Sequence, residues 1–274
     1  MQRRRRRQLQ RRLILSGIVF VIVLLFASCA YRCTKKADAR EAARTEKAKI
    51  EAEEKEETEQ ERIERVRREA QEAGYPDEII ELLSKNPETV GFVEDYGTKK
   101  DGPVKETVGD IAQGEIPYLY QWDEGWGYSS YGTSTIAVSG CGPTCMSMII
   151  SGLTGDNTVT PLKTVAYSEQ YGHVTAENDT TWAFMKEVAW SYGLSSWDVG
   201  LDESIVAAEL AQGHPVVCAL GPGDFTQNGH FIVLAGYDNG NVSVHDPFSK
   251  VNSEKTWAYA DIMPQIRAIW AYSL

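Results

Sequence analysis

Leu13 to Ala30 (LILSGIVFVIVLLFASCA) is an uncharged, almost unbroken apolar run of 18 residues. As a helix it would be about 27 Å long, just enough to cross the hydrocarbon core of a bilayer. Arg3 to Arg7, Arg11 and Arg12 precede it with no acidic residue among them. The positive-inside rule then leaves residues 1–12 as a basic cytoplasmic tail and sends the rest of the chain outside. Residues 13–31 are therefore expected to be a single-pass signal anchor in the cell membrane. The alternative is a lipoprotein signal cut before Cys29, because FASC resembles a bacterial lipobox. The anchor is favoured, since the run is longer than a usual signal core. Both place the remainder on the extracellular side.

Composition then divides the chain. Lys35 to Ala73 is rich in Ala, Glu, Lys and Arg and contains no Pro, Gly or aromatic residue. These are strong helix formers with opposite charges three or four apart. Residues 32–74 are expected to form a solvated helical stalk. Ile63, Val66, Ala70 and Ala73 keep a 3-4-3 spacing, so a coiled coil giving weak self-association is the lesser alternative. Gly74, Tyr75 and Pro76 end it. Residues 75–100 read as two short helices around a turn at Asn86-Pro87. Their Ile79, Ile80, Leu82, Leu83, Phe92 and Val93 need cover, and the following domain can supply it.

Residues 101–274 are richer in Gly, Trp, Tyr and Thr. Helical signals at Thr144–Leu153, Thr180–Tyr192 and Glu203–Gln212 precede strand signals at Val216–Leu220, Phe231–Tyr237, Val242–His245 and Ile266–Tyr272. Asp238-Asn239-Gly240 is a hairpin turn. Helices followed by antiparallel strands imply an α+β domain. The net charge of −11, and the lack of any Lys or Arg from Glu106 to Leu162, disfavour nucleic acid. They suit a cationic or cell-wall-derived peptide partner. No zinc spacing, phosphate loop or calcium loop occurs, so no metal or cofactor is expected.

Ser139-Gly140-Cys141-Gly142-Pro143-Thr144 carries the strongest chemical signal. Cysteine reacts as the thiolate, and a helix N-terminus favours the anion. Pro143 suits a first helical turn. The flanking glycines leave the thiol uncrowded and let the Cys141 N–H face an oxyanion. Cys145 and Cys218 read as small core residues. Among the four histidines, His230 follows a glycine-rich loop and begins an apolar strand, where a base is both exposed and held. Asp246 ends the partner strand and can lie beside His230 to fix its tautomer. His245 should point to the other strand face. Trp122, Trp126, Tyr128 and Tyr131 read as packing residues, with a substrate groove as the lesser alternative.

The segments IPYLYQWDEGWGYSSYG, SGCGPTCMSMIISGLTG, GHPVVCALGPGDFTQNGHFIVLAGYD and VSVHDPFS together resemble the bacteriocin-leader-processing (double-glycine) cysteine peptidases, chiefly their stand-alone bacterial members. The resemblance runs from about Ile116 to the C-terminus. It implies a papain-like fold and a catalytic Cys141, His230 and Asp246, with Gln121 assisting the oxyanion. Gln121 lies farther ahead of the cysteine than in the transporter-linked peptidases, and the chain carries no transporter domain. The expected function is a membrane-tethered extracellular cysteine hydrolase of peptide bonds. A catalytically silent peptide-binding module and a wall-peptide amidase or transpeptidase on the same fold are the alternatives.

Overall fold

The computed structural model describes residues 57–274, together with Lys35, Arg40, Glu41 and Arg44. The expected anchor at 13–31 and most of residues 32–56 lie outside the described residues. Among the described residues no helix is long and apolar enough to cross a membrane. The chain divides into two units, Met1–Glu59 and Gln60–Leu274, and the second carries the fold described here.

Helix α1 (Glu59–Glu72) lies in the stretch expected to be a solvated stalk. It is instead packed on one side, with Ile63, Val66 and Ala70 buried. The 3-4 spacing makes one apolar stripe, and the two following helices cover it. Arg62 and Arg65 both pair with Glu94. Gly74, at φ 70°, ends the helix in the left-handed region that glycine tolerates.

Helices α2 (Asp77–Lys85) and α3 (Val90–Lys99) flank a 3-10 turn at Pro87–Thr89. Each is too short to be stable alone, so burial decides. Ile79, Ile80, Leu82, Leu83, Phe92 and Val93 join α1, Trp122 and Ala137 in one apolar cluster. Fully burying such a side chain is worth about 1.5–3 kcal/mol. Residues 77–99 therefore pack on the following domain, which covers their apolar positions.

Strands β1 (Ser130–Tyr131) and β2 (Ser134–Thr135) form a small hairpin that leads through the single turn α4 (Ile136–Ser139) into α5 (Cys141–Thr154). Helix α5 is buried from Gly142 to Leu153. Next come α6 (Pro161–Gln170), α7 (Trp182–Ser191), β3 (Ser195–Asp198), α8 (Glu203–Ala211), β4 (Val216–Leu220), β5 (His230–Asp238) and β6 (Asn241–His245). The chain closes with α9 (Lys250–Glu254), β7 (Trp257–Ala258), α10 (Tyr259–Ile262) and β8 (Ile266–Ser273). The large sheet has the order β3-β8-β4-β5-β6-β7 and is antiparallel throughout.

Alternate strand residues feed two cores. Val217, Ala219, Phe231, Val233, Trp270 and Tyr272 join the α5–α7 side. Val216, Cys218, Leu220, Ile232 and Leu234 join Val206 and Leu210 of α8 and Ile262 of α10 on the other. The domain is thus α+β, with helices ahead of an antiparallel sheet. The β5–β6 turn holds Asn239 and Gly240 at φ 49° and 87°, the conformation an Asn-Gly hairpin favours.

Candidate active site

Cys141 is the first residue of α5, with Gly140 as its N-cap, and is a free, partly exposed thiol. Its neighbourhood is tight. A Cβ on Gly142 would come within 2.9 Å of Thr180 Cβ and Oγ1. Thr180 Oγ1 and Ser168 Oγ each lie 2.8 Å from the buried Tyr131 hydroxyl. The first turn of α5 thus rests on a polar seat supplied by β1, α6 and the segment before α7. On the same helix the buried Cys145 thiol donates to Phe231 O at 3.3 Å. That bond pins α5 to β5 one residue beyond His230. Burial raises the Cys145 thiol well above its ordinary range, and burial does the same at Cys218.

The β5–β6 hairpin brings His230 and Asp246 together at its open end, although 16 residues separate them in sequence. His230 Nε2 donates to Asp246 Oδ1 at 2.8 Å. Nδ1 is then the nitrogen left to serve Cys141, whose thiol is a hydrogen-bonding and electrostatic neighbour of the ring. Burial disfavours the charged imidazolium. The Asp246 carboxylate and the Cys141 thiol outweigh it and raise His230 to about 10. Asp246 is 1% exposed. Burial would push its carboxyl up, but the charge and hydrogen bond of His230, then the bonds from Asn252 and Phe248 N, hold it below the usual carboxylate range.

Three supports of Asp246 were not legible as functional residues. Asn252 Nδ2 donates to Oδ2 and Phe248 N to Oδ1, each at 2.8 Å. Ser253 Oγ accepts from Asp246 N at 2.9 Å. The sequence signal for them is the N-cap Ser249, whose hydroxyl accepts from Asn252 N. It marks a helical turn that folds back on the strand end.

Gln121 is 2% exposed. Its Nε2 donates to Ala137 O at 2.8 Å, leaving one amide hydrogen, while Oε1 has no hydrogen-bond partner. Gln121 is thus fixed against α4, the turn that leads to Cys141. His245 is buried, donates from Nδ1 to Pro117 O at 3.2 Å and stacks on Tyr118 at 3.7 Å. Burial lowers it to about 4, against the weaker pull of the Pro117 carbonyl, so its ring is neutral near pH 7. His214 pairs with Glu209, and His173 bonds Thr181. Trp122, Trp126 and Tyr131 are buried, and Tyr128 stacks on Phe92. They are packing residues. Among the described residues, no cluster of His, Cys, Asp or Glu has the makings of a metal site.

The structure thus brings together a thiol at a helix start, an imidazole and a buried carboxylate. The family model described as "Peptidase_C39 like family" matches residues 113–273, and the chain belongs to that family. Among solved structures, the chain is similar to a C39-like peptidase from Bacillus anthracis at 15% identity and a TM-score of 0.40, covering 61% of this chain and 98% of that one. It is also similar to the peptidase domain of Streptococcus ComA, a bifunctional ABC transporter of a quorum-sensing pathway. That match has 16% identity and a TM-score of 0.38, over 48% of this chain and 90% of that one. No curated protein matches. Family membership supports a peptidase of the cysteine type.

Proposed function

We propose that the protein is a membrane-tethered, extracellular cysteine peptidase that cleaves peptide bonds through Cys141, His230 and Asp246. The observation that carries this reading is the 2.8 Å bond from His230 Nε2 to Asp246, which leaves the opposite ring nitrogen to Cys141. Cys141 Sγ attacks the scissile carbonyl carbon. The oxyanion is met by the Cys141 N–H and the second amide hydrogen of Gln121. The imidazolium of His230 gives its Nδ1 proton to the leaving amine as the C–N bond breaks, and a thioester remains. Water then attacks the thioester, His230 takes its proton, and the acid leaves as the thiolate reforms. Asp246 keeps the ring in the required tautomer throughout. No metal or cofactor enters the scheme.

The net charge of −11 favours cationic peptides or wall-derived peptides as substrates. The arginine block ahead of Leu13–Ala30 supports tethering with the domain outside, so protease added to intact cells should remove residues beyond Lys35. The decisive experiment screens the protein against peptide libraries and purified peptidoglycan. Cleavage that is lost in Cys141→Ala and His230→Ala is expected. Peptide binding without cleavage would leave the silent binding module instead. Because His230 keeps its proton to about pH 10, turnover should decline on the alkaline side only near that value.

A further inference from the structure

Asp246 is held by α9, and α9 is held by a carboxylate from outside the family-matched residues. Glu88 lies in the 3-10 turn between α2 and α3. Three donors converge on it. Ser249 Oγ donates to Oε1 at 2.9 Å, Lys250 N to Oε2 at 2.9 Å and Val251 N to Oε1 at 3.2 Å. The opening turn of a helix has N–H groups with no partner inside the helix, and an ionised carboxylate is a strong acceptor for them.

The chain of bonds continues inward. Ser249 Oγ, having given its proton to Glu88, accepts from Asn252 N at 3.2 Å. Asn252 Nδ2 then donates to Asp246 Oδ2 at 2.8 Å. A second line runs beside it. Asn86 Nδ2 and Trp122 Nε1 both donate to Phe248 O, the latter at 2.7 Å, while Phe248 N donates to Asp246 Oδ1. Asn86 and Glu88 flank Pro87, and Asn86 Oδ1 accepts from Glu88 N at 3.0 Å. One turn therefore stitches both ends of the loop Phe248–Val251.

We infer that Glu88 is a positioning residue for the Asp246–His230 pair, acting through α9, and that the N-terminal helices 77–99 complete the site. The inference rests on the proposed role of Asp246. In this arrangement Glu88 never touches substrate. It fixes where the Asn252 amide sits, and so which rotamer of Asp246 faces the imidazole. The titratable groups that face His230 are Cys141 and Asp246, and Glu88 is linked by hydrogen bonds to the second of these.

The test uses the full chain and iodoacetamide as a probe of Cys141, with melting temperature measured in parallel. Loss of Glu88 should weaken the hold of Asp246 on the imidazolium and move the acid limb of alkylation upward. Glu88→Ala should therefore be alkylated roughly tenfold more slowly than the parent in acidic solution, the effect of about one unit, with the deficit shrinking as pH rises. Ser249→Ala, which cuts one link and leaves the backbone donors, should move the limb the same way by less. In an Asp246→Asn background, Glu88→Ala should add no further shift, because both act through one line of bonds. A fall in melting temperature with the parental pH profile, or a full additive effect on top of Asp246→Asn, would overturn the inference. If Asp246→Asn itself leaves the profile unchanged, the proposed role of Asp246 fails first, and the two failures are told apart.

Discussion

Gly142→Ala tests how closely the nucleophile is seated. The added Cβ would meet Thr180 Cβ, Oγ1 and Cγ2 at 2.9, 2.9 and 3.0 Å. Ordinary carbon contacts lie near 3.5–4.0 Å, so one side must retreat by about 0.5–1 Å. Thr180 is poorly placed to do so, since it is buried and its Oγ1 is engaged by Tyr131. The start of α5 must move with Cys141 on it, or the Tyr131–Thr180 bond must break. Overpacking of this kind costs about 1–3 kcal/mol. For a folded unit of this size that lowers the melting temperature by about 2–12 °C. A displacement near 1 Å at a reacting atom costs on the order of 10² in rate. Calorimetry and turnover of a library-selected peptide would measure the two effects. Thr180→Gly, added to Gly142→Ala, should recover part of the lost turnover, because the contacting atoms are gone. Parental turnover and melting temperature in Gly142→Ala alone would refute the close seat.

Two further outcomes are expected. Gln121→Ala should lower turnover by about 10² to 10³ with little change in KM, while alkylation of Cys141 persists; unchanged turnover would remove Gln121 from oxyanion binding. His245 titrates at about 4 in the folded protein and near 6.5 when unfolded, so the unfolded chain takes up the proton first as pH falls. The stability this neutral ring contributes is intact above pH 6.5 and is lost as pH drops through about 4, on the order of 3 kcal/mol in all. His245→Gln keeps a donor for Pro117 O and removes the titration. Its acid unfolding should be shallower over that window in equilibrium denaturation, with turnover near pH 7 little changed.

Much of the site was legible because its signals are local. Glycines and a proline mark the start of α5, although the helix begins at Cys141, ahead of the Thr144 expected from apolar periodicity. The hairpin turn at Asn239-Gly240 fixes the pairing of β5 with β6, and with it the meeting of His230 and Asp246. The partner of Gln121 was not legible, since Ala137 contributes only a backbone carbonyl and any residue type would serve. Nor was α6, whose Thr160-Pro161 start is a fair helix signal followed by only a thin apolar pattern. The packing of α1 was half visible. The stripe of Ile63, Val66 and Ala70 stands in the sequence, but what covers it depends on a fold-back at Gly74 and Pro76 that charge composition conceals. Glu88 looked like any exposed acid, because its partners, one serine hydroxyl and two backbone N–H groups, lie far along the chain.

Helix α1 also sets a mechanical order for the folded unit. A pull on the chain from the N-terminal side enters at Glu59 and is met first by the buried stripe of α1 and by the pairs of Arg62 and Arg65 with Glu94. Helix α1 is buried along one face only, so it would peel away as a sacrificial segment. Only after it lengthens does load reach α2 and the turn at Asn86–Thr89. Pulled from that end, the domain would give slack before its candidate site felt strain.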